Sequence, residues 1–212
     1  MTPQGPARFI TLEGGEGAGK STHAHQLSQA LAEHGIENIV TREPGGSAGA
    51  EEIRKLLVEG EPGRWDPLVE TLLMFAARAD HVTRTIAPAL SAGKWVICDR
   101  FTDSTFAYQG EGRGAGKDTI RDIQRVAIGE FQPDLSIVLD VSPEEAIKRI
   151  SPRQHAEDRF EKFDRAFHER LRAYFRQLPQ REPQRCVLID SNGPGEQVSQ
   201  QIWRTVAARF GL

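Results

Sequence analysis

The fold of this chain is decided by residues 14–21, which read Gly14-Gly15-Glu16-Gly17-Ala18-Gly19-Lys20-Ser21. The stretch matches G-x-x-x-x-G-K-[ST] in full, which is the pattern of a phosphate-binding loop. Its glycines let the backbone wrap closely, so that successive N–H groups and the start of the next helix point at phosphate oxygens. Lys20 can reach the β and γ phosphates, and Ser21 can ligate Mg²⁺. The phosphate loop, residues 14–21, therefore predicts binding of a nucleoside triphosphate.

The sequence on both sides of the phosphate loop has the context that such a loop requires. An apolar run precedes it at residues 9–12, and residues 21–34 follow with helical spacing. Four further short apolar runs lie at residues 36–41, 95–99, 135–140 and 186–190. Several of them lack polar alternation, which indicates strands that are covered on both faces. We predict one domain spanning residues 1–212, with an α/β, three-layer P-loop NTPase fold and a five-stranded parallel sheet.

Helical patterns fill the intervals between these runs. They cover residues 51–57, 67–92, 119–128, 158–178 and 195–210. Pro88 is expected to kink or break the second of them, because proline removes a helical hydrogen bond. Ser142-Pro143-Glu144-Glu145 is typical of a helix start, with serine as the N-cap. Polar residues 151–157 interrupt the helix that begins there.

Composition argues against several classes of protein. The formal net charge of −3 shows no basic bias, so we expect no nucleic acid polymer as partner. The two cysteines, Cys98 and Cys186, lie in apolar runs and are predicted to be buried free thiols. No apolar run approaches the ~20 residues of a membrane span, and the start of the chain lacks a secretory pattern. We therefore expect a cytoplasmic protein that makes no contact with a membrane.

A second acidic element ends the run Trp95–Asp99, and a basic residue follows it at once as Arg100. A carboxylate at the end of a strand suits a metal ion or its waters, so we predict that Asp99 and Ser21 form the metal site. An Asp-Arg pair in this place is typical of kinases that phosphorylate nucleosides or nucleoside monophosphates. From these residues alone, a structural ion pair between Arg100 and Asp99 is an equally good explanation.

The chain resembles the thymidylate kinase family nearly from end to end. The matching segments are, in the family's order, FITLEGGEGAGKST, TREPGGS, EEIRKLL, LLMFAARADHV, VICDRFTDSTFAYQGEGRG, FQPDLSIVLDVSPEEA and EDRFEKFD. The REPGG and DR-x-x-D-S-x-x-A-Y-Q-G segments are specific to the family, whereas the phosphate loop alone is not. The resemblance implies a fold like that of nucleoside monophosphate kinases, transfer of the γ-phosphoryl group of ATP to dTMP, Mg²⁺ as cofactor and a homodimer.

The resemblance also assigns residues to the ATP side of the site. The ATP-binding set is Gly14, Gly15, Glu16, Gly17, Ala18, Gly19, Lys20, Ser21, Thr22 and Arg149. Residues 150–157 correspond to a lid that closes over ATP. Some family members carry a catalytic arginine in the phosphate loop; this chain has Gly17-Ala18 there, so a lid arginine is expected instead. Arg153 is the first candidate, with Arg149 and Arg159 as alternatives. The implied catalytic set is Lys20, Arg100, Asp99, Arg153 and Glu16.

The acceptor side of the site is assigned in the same way. The implied dTMP-binding set is Glu43, Arg54, Phe75, Arg78, Arg100, Thr105, Tyr108 and Gln109. Within it, Arg54 and Arg100 would hold the 5′-phosphate, because guanidinium groups match phosphate oxygens.

Each of the other acceptor-side residues has an implied role. Phe75 would stack on thymine and Arg78 would donate to a base carbonyl. Thr105 and Gln109 would bind the base edge, and Tyr108 would crowd the 2′ position of the sugar. Two carboxylates complete the assignment: Glu16 would support the sugar hydroxyl, and Glu43 would serve the acceptor or the metal-bound waters. Without the resemblance, helical periodicity favours Phe75 as an ordinary core residue and Arg54 as a solvated one.

Two alternative functions remain open from the sequence. The acceptor could be dUMP, another nucleoside monophosphate or a nucleoside, because thymine and uracil differ by one methyl group, worth only about 1–3 kcal/mol in an apolar pocket. The chain could instead be an ATPase or a nucleotide-sensing module without an acceptor. The arginines around a second site favour a kinase over these two.

Overall fold

Five parallel strands form the central sheet, in the spatial order β2–β3–β1–β4–β5. The strands are β1 Phe9–Glu13, β2 Asn38–Arg42, β3 Trp95–Asp99, β4 Leu135–Asp140 and β5 Cys186–Asp190. The computed structural model describes residues 6–150 and 159–212, and in this part of the chain it confirms the predicted sheet. Side chains on β1 and β4 are buried throughout, because helices cover both faces of the sheet.

Helices follow the strands in the alternation that the sequence predicts. They are α1 Lys20–Glu33, α2 Ala48–Val58, α3 Pro67–His81, α4 Ala87–Ser91, α5 Thr102–Thr105, α6 Lys117–Ile128, α7 Pro143–Ile150, α8 Arg165–Arg181 and α9 Gly195–Phe210. Two wider, π-helical stretches extend this set, at Val82–Ile86 between α3 and α4 and at Phe106–Gly112 directly after α5. The predicted cap of α7 is confirmed, since the Ser142 hydroxyl accepts the N–H of Glu145 at 3.3 Å.

The predicted long helix over residues 67–92 is divided upstream of Pro88 rather than at it. A π-helical turn ends at Ile86, and the Ala87 N–H donates to the carbonyl of Val82, five residues back. Pro88 itself lies in the first turn of α4, where a helix makes no use of the missing N–H. The proline therefore follows directly on a turn in which the regular i→i−4 hydrogen bonding is already interrupted.

The helix predicted over residues 158–178 is wrong at its start. The described residues 159–164 form turns and irregular structure, and α8 begins only at Arg165. Asp164 sets this start because its carboxylate accepts the N–H of Phe167 at 2.8 Å, which is the contact of an N-cap. A second misprediction concerns residues 102–112, which are helical although no helix was expected there.

The core lies on both faces of the sheet and leaves the carboxyl edge of β1 and β3 open. Side chains of β1 and β4 pack with α1 and α9 on one face, and Val138 of β4 packs with α8 on the other. Cys98 and Cys186 are buried free thiols, as predicted. Among residues 6–150 and 159–212, no helix has the length and apolar character needed to cross a membrane.

Candidate active site

The phosphate loop joins β1 to α1 and can be built only from glycine at two positions. Gly14 has φ 131°, and a Cβ placed there would lie 2.4 Å from the carbonyl oxygen of Leu139. Gly17 has φ 72°, and a Cβ there would lie 2.9 Å from the carbonyl oxygen of Ala146. Both positions combine a left-handed backbone with a close approach to β4 or α7. The loop is therefore held in one shape by the neighbouring elements.

Lys20 lies inside this loop and is only 6% exposed. Its Nζ donates to the carbonyl of Gly15 at 2.7 Å, which curls the side chain back over the loop. Burial lowers the pKa of Lys20, and the nearby positive charge of Arg100 lowers it further, against the opposite effect of Glu16. The ammonium is thus poorly solvated. Phosphate oxygens that bind in the loop would supply the hydrogen bonds that water does not.

Asp99 and Ser21 meet at the mouth of the loop. The Ser21 hydroxyl donates to Oδ2 of Asp99, while Oδ1 of Asp99 is buried and has no hydrogen-bond partner among the described residues. One hydroxyl and one carboxylate with an unused oxygen are the donors that Mg²⁺ takes when phosphates complete its coordination. Residues 6–150 and 159–212 contain no cluster of three or more His, Cys, Asp or Glu side chains that could hold a metal ion.

Arg100 follows β3 in an unusual backbone conformation, with φ 72° in a residue other than glycine. Such strain persists only where the surroundings enforce it. Here Nη1 donates to the carbonyl of Gly14 at 2.8 Å, and Nη2 donates to Glu16 Oε1 at 2.7 Å and to the Tyr108 hydroxyl at 2.9 Å. The carboxylate partner of Arg100 is therefore Glu16 in the phosphate loop, rather than the adjacent Asp99.

The charges of Arg100 and Glu16 depend on each other. Burial alone would raise the pKa of Glu16, but Arg100 and Lys20 outweigh that effect and lower it to about 2. Burial likewise opposes the charge of Arg100, yet Glu16 raises its pKa on balance. Both side chains stay ionised at neutral pH. The centre of the site therefore holds the cations Arg100 and Lys20 beside the ionised Glu16, with the carboxylate of Asp99 close to both cations.

Arg78 is held by a second carboxylate. Glu43 accepts from Arg78 Nε at 2.7 Å and faces Nδ1 of His81 at 2.9 Å, and all three side chains are buried. Arg78 Nη2 donates to the carbonyl of Phe101 at 3.0 Å. Its Nη1 is buried and has no hydrogen-bond partner in the described part of the chain. His81 was not singled out from the sequence, because a lone histidine on a helix carries no signal of its own.

Thr105, Tyr108 and Gln109 come from α5 and the π-helical stretch after it. All three are buried, and all line the same cleft. Gln109 donates from Nε2 to Glu70 Oε1 at 2.9 Å, while its Oε1 is buried without a described partner. All three side chains therefore lie on helical turns, because residues 102–112 are helical.

One cleft of about 990 Å³ brings most of the predicted residues together. Of the residues predicted for ATP and the metal, those that line it are Glu16, Gly17, Gly19, Lys20, Ser21, Thr22, Asp99 and Arg149. Of the residues predicted for the acceptor, those that line it are Glu43, Arg54, Arg78, Arg100, Thr105, Tyr108 and Gln109. Gly14, Gly15 and Ala18 of the predicted set do not line it; they shape the loop behind its surface.

Phe75 is not brought to the cleft. Its side chain is 1% exposed, and its ring centroid lies 4.7 Å from the guanidinium carbon of Arg78. The cleft-lining residue on this turn of α3 is the neighbouring Met74. Both positions lie close enough to Arg78 along a helix, three and four residues away, to share its face. Helical spacing alone therefore could not show whether Met74 or Phe75 lines the cleft. The packing of α3 determines that it is Met74.

The three candidates for the lid arginine have separate outcomes. Arg153 lies outside the described residues. Arg149 lines the cleft and donates to Glu145 at 3.2 Å and to the carbonyl of Ser191 at 3.0 Å. Arg159 is fully buried in an ion pair with Glu70 and does not line the cleft.

Comparisons with known proteins agree on one family. A sequence profile described as "Thymidylate kinase" matches residues 12–202. A protein named thymidylate kinase from Magnetococcus marinus is 47% identical over 203 residues, covering 96% of this chain and 97% of that protein. Another so named, from Rhizorhabdus wittichii, is 48% identical, covering 95% and 98%. The crystal structure of thymidylate kinase from Ehrlichia chaffeensis superposes with a TM-score of 0.75 at 32% identity, over 95% of this chain and 99% of that one.

Proposed function

The chain belongs to the thymidylate kinase family, and on that premise we propose that its cleft transfers the γ-phosphoryl group of ATP to dTMP. The products are ADP and dTDP, a precursor of dTTP. The observation that carries the proposal is the pairing of two anion sites in one cleft. Lys20 marks the first, in the phosphate loop, and Arg100 marks the second, at the end of β3.

The acceptor needs no strong general base. The second pKa of a phosphate monoester is about 6, so dTMP is largely dianionic at neutral pH and can attack directly. The difficulty is to hold two mutually repelling anions in line, which positioning and positive charge accomplish. Lys20 would neutralise the transferring phosphoryl group, and Arg100 would hold the attacking phosphate against it. Glu16, fixed by Arg100 and Tyr108, would receive the sugar hydroxyl at its remaining oxygen.

Ser21 and Asp99 would hold Mg²⁺, since Asp99 offers a buried oxygen that has no hydrogen-bond partner within residues 6–150 and 159–212. When bound, the ion neutralises charge on the β and γ phosphates of ATP. The chain's own contribution is to keep these two side chains in contact beside the loop, so that the site is preformed before nucleotide arrives.

For the base we propose a pocket that differs from the sequence-based expectation at one residue. Met74 would lie against the thymine ring, because it lines the cleft. Phe75 would act from behind, packing against Arg78 and keeping the guanidinium in place. Arg78, Thr105 and Gln109 would contact the polar edge of the base.

Which arginine completes the ATP side stays a prediction. Arg153 remains the choice that the family resemblance implies. Arg149 is supported by its place on the cleft, although it is already engaged with Glu145 and Ser191. A comparison of Arg153→Ala with Arg149→Ala separates them. Substitution of the catalytic arginine should lower kcat much more than it weakens dTMP binding, because the contact that this arginine makes forms mainly in the reacting state.

We also propose that the chain acts as a homodimer. The support is an apolar surface on α2 and α3, made by Leu56, Leu68, Val69 and Leu72, each of them 39–49% exposed. The two helices pack against each other, and apolar residues exposed together on neighbouring helices are typical of interfaces between proteins. A second copy of the chain is the occupant that the family resemblance implies.

The proposed function is tested by measuring ADP release from Mg-ATP with purified protein. The acceptors to be offered separately are dTMP, dUMP, dCMP, dGMP, UMP, CMP and thymidine. We expect dTMP to dominate and dTDP to accumulate. If another acceptor gives the fastest ADP release, the roles proposed for the phosphate-binding residues are kept, but those of the base pocket must be reassigned. ADP release at the same rate without any acceptor would identify a hydrolase and overturn the proposal.

A further inference from the structure

Glu70 on α3 is a buried carboxylate that the mechanism above does not use. Its side chain is fully buried, as are those of both its partners. Oε1 accepts from Nε2 of Gln109 at 2.9 Å, and Oε2 accepts from Nη2 of Arg159. A buried carboxylate is costly to maintain without a cation and hydrogen bonds. Glu70 therefore ties the cleft residue Gln109 to an arginine that does not itself reach the cleft.

Arg159 is fixed independently of Gln109. Its Nη1 donates to the carbonyl of Leu57 at 2.8 Å, its Nε to the carbonyl of Glu61 at 3.2 Å, and its backbone N–H to the carbonyl of Val58 at 3.2 Å. The guanidinium is thus anchored to the end of α2 and the loop after it. It supplies both the countercharge and the position of the Glu70 carboxylate.

This arrangement decides which end of the Gln109 amide faces the cleft. An ionised carboxylate only accepts hydrogen bonds, so the NH₂ group of Gln109 must face Glu70. The carbonyl oxygen is then left as the free group, and it is indeed buried without a described partner. The orientation of the Gln109 amide is therefore assigned from its hydrogen-bond partner, because the oxygen and nitrogen of an amide are hard to tell apart by shape.

Across the cleft, Arg78 offers the complementary group. Its Nη1 is a buried donor without a described partner. Both residues line the cleft, so a base bound against them would meet one donor and one acceptor that are not otherwise used. Thymine and uracil carry a carbonyl acceptor at position 4 and an N–H donor at position 3, whereas cytosine carries an amino donor and a ring-nitrogen acceptor there. The first pattern complements the site, and the second opposes it at both atoms.

We propose that Glu70 is a positioning residue that sets the polarity of the Gln109 amide, and that Arg159 holds Glu70 for this task. The pair thereby makes the cleft select thymine and uracil against cytosine. The inference rests on the proposed function, because it assumes that the base lies against Gln109 and Arg78. It assigns no contact between Glu70 or Arg159 and the substrate.

The test is the variant Glu70→Gln, assayed with dTMP, dUMP and dCMP. A neutral amide at position 70 can donate as well as accept, so the side-chain amide of Gln109 can rotate by about 180°. We expect KM for dTMP to rise about tenfold with a smaller change in kcat, and the preference for dTMP over dCMP in kcat/KM to fall by about tenfold or more. An unchanged preference would overturn the proposal. Glu61→Gln is the matched control, because the exposed Glu61 side chain pairs with Lys162 instead.

A double-mutant cycle separates positioning from packing. In a Gln109→Ala background, Glu70→Gln should cause no further loss of base preference, because its effect passes through Gln109. Equal losses in both backgrounds would mean that Glu70 acts by packing alone. If Glu70→Gln does not fold, Arg159→Lys provides the second variant, with a smaller loss of preference expected and an unchanged one contradicting the proposal. A wild-type protein that phosphorylates no pyrimidine nucleotide would instead refute the proposed function itself.

Discussion

Glu13, the last residue of β1, is a buried acid whose proton is coupled to folding. Its carboxylate accepts the N–H of Phe101 at 2.7 Å and the hydroxyl of Ser104 at 2.6 Å, so it fastens the chain that follows Arg100. Burial and the neighbouring Asp103 raise the pKa of Glu13 from 4.5 to about 7. The folded state therefore holds this proton more tightly than the unfolded chain does.

The sign of the pH effect follows from that shift. The stabilisation is fully present below the unfolded pKa of 4.5 and is lost as pH rises through about 7, a change on the order of 3 kcal/mol. We expect the free energy of unfolding of Glu13→Gln to vary less between pH 5 and pH 8 than that of the unchanged protein. Urea denaturation at each pH measures it. Identical pH slopes in the two proteins would show that Glu13 does not titrate in this range.

Met74 and Phe75 offer a second comparison at the scale of single residues. Met74→Ala should raise KM for dTMP with little change in Tm, because Met74 lines the cleft. Phe75→Ala should cost about 3–5 kcal/mol of stability, since it empties a fully buried site. Thermal unfolding and dTMP titration of both variants distinguish the two roles. A stable Phe75→Ala with weakened dTMP binding would restore Phe75 to the base pocket.

Single residues also mark the limit of prediction from sequence. The phosphate loop and Asp99 could be identified because their chemistry depends on a local pattern that occurs within a few residues. The choice between Met74 and Phe75 could not, because it depends on which face of α3 is covered by α2 and α6. The partnership of Glu70 with Arg159 joins residues 89 positions apart, and no local pattern indicates it.

At the scale of elements, the Phe106–Gly112 stretch packs closely against α8 at Gly112. A Cβ on Gly112 would lie 2.4 Å from Cε2 of Phe167 and 2.9 Å from Cδ1 of Leu171. The helical stretch that carries Tyr108 and Gln109 thus rests directly on α8.

Gly112→Ala should push this stretch away from α8. We expect a loss of about 1–3 kcal/mol of stability and a raised KM for dTMP, with less effect on KM for ATP. Thermal unfolding and steady-state kinetics with each substrate measure these changes. Gly195→Ala is the control for Tm, because a Cβ there meets nothing within 4 Å. Equal changes in both variants would contradict the packing argument.

Elements were predicted well where burial alone defines them and less well at their ends. All five strands lie where apolar runs indicated, because helices cover the sheet on both sides. The start of α8 was misplaced because Asp158 and Asp164 are both plausible caps in the sequence. The helix over residues 102–112 was missed because its polar side chains are buried against distant partners, as Ser104 is against Glu13 and Gln109 against Glu70, so that no amphipathic pattern marks it.

At the scale of the whole molecule, the proposed dimer depends on the apolar surface of α2 and α3. Leu72, 49% exposed in one chain, is its most exposed member. Leu72→Glu should place a charge in the interface and shift the protein towards monomer. Light scattering after size-exclusion chromatography measures the mass. Ile147→Glu is the control, because Ile147 is 66% exposed and lies on α7, which carries none of this surface. A monomeric unchanged protein would refute the homodimer.

The two buried cysteines can report on how the sheet opens. Burial raises the pKa of Cys98 well above its usual range and that of Cys186 to about 12. Only a thiolate reacts quickly with an alkylating dye, so the native protein should remain unlabelled until the sheet opens. Cys98 lies on β3 inside the sheet and Cys186 on the edge strand β5. The order in which the dye labels them would therefore show whether the edge strand β5 opens before the inner strand β3.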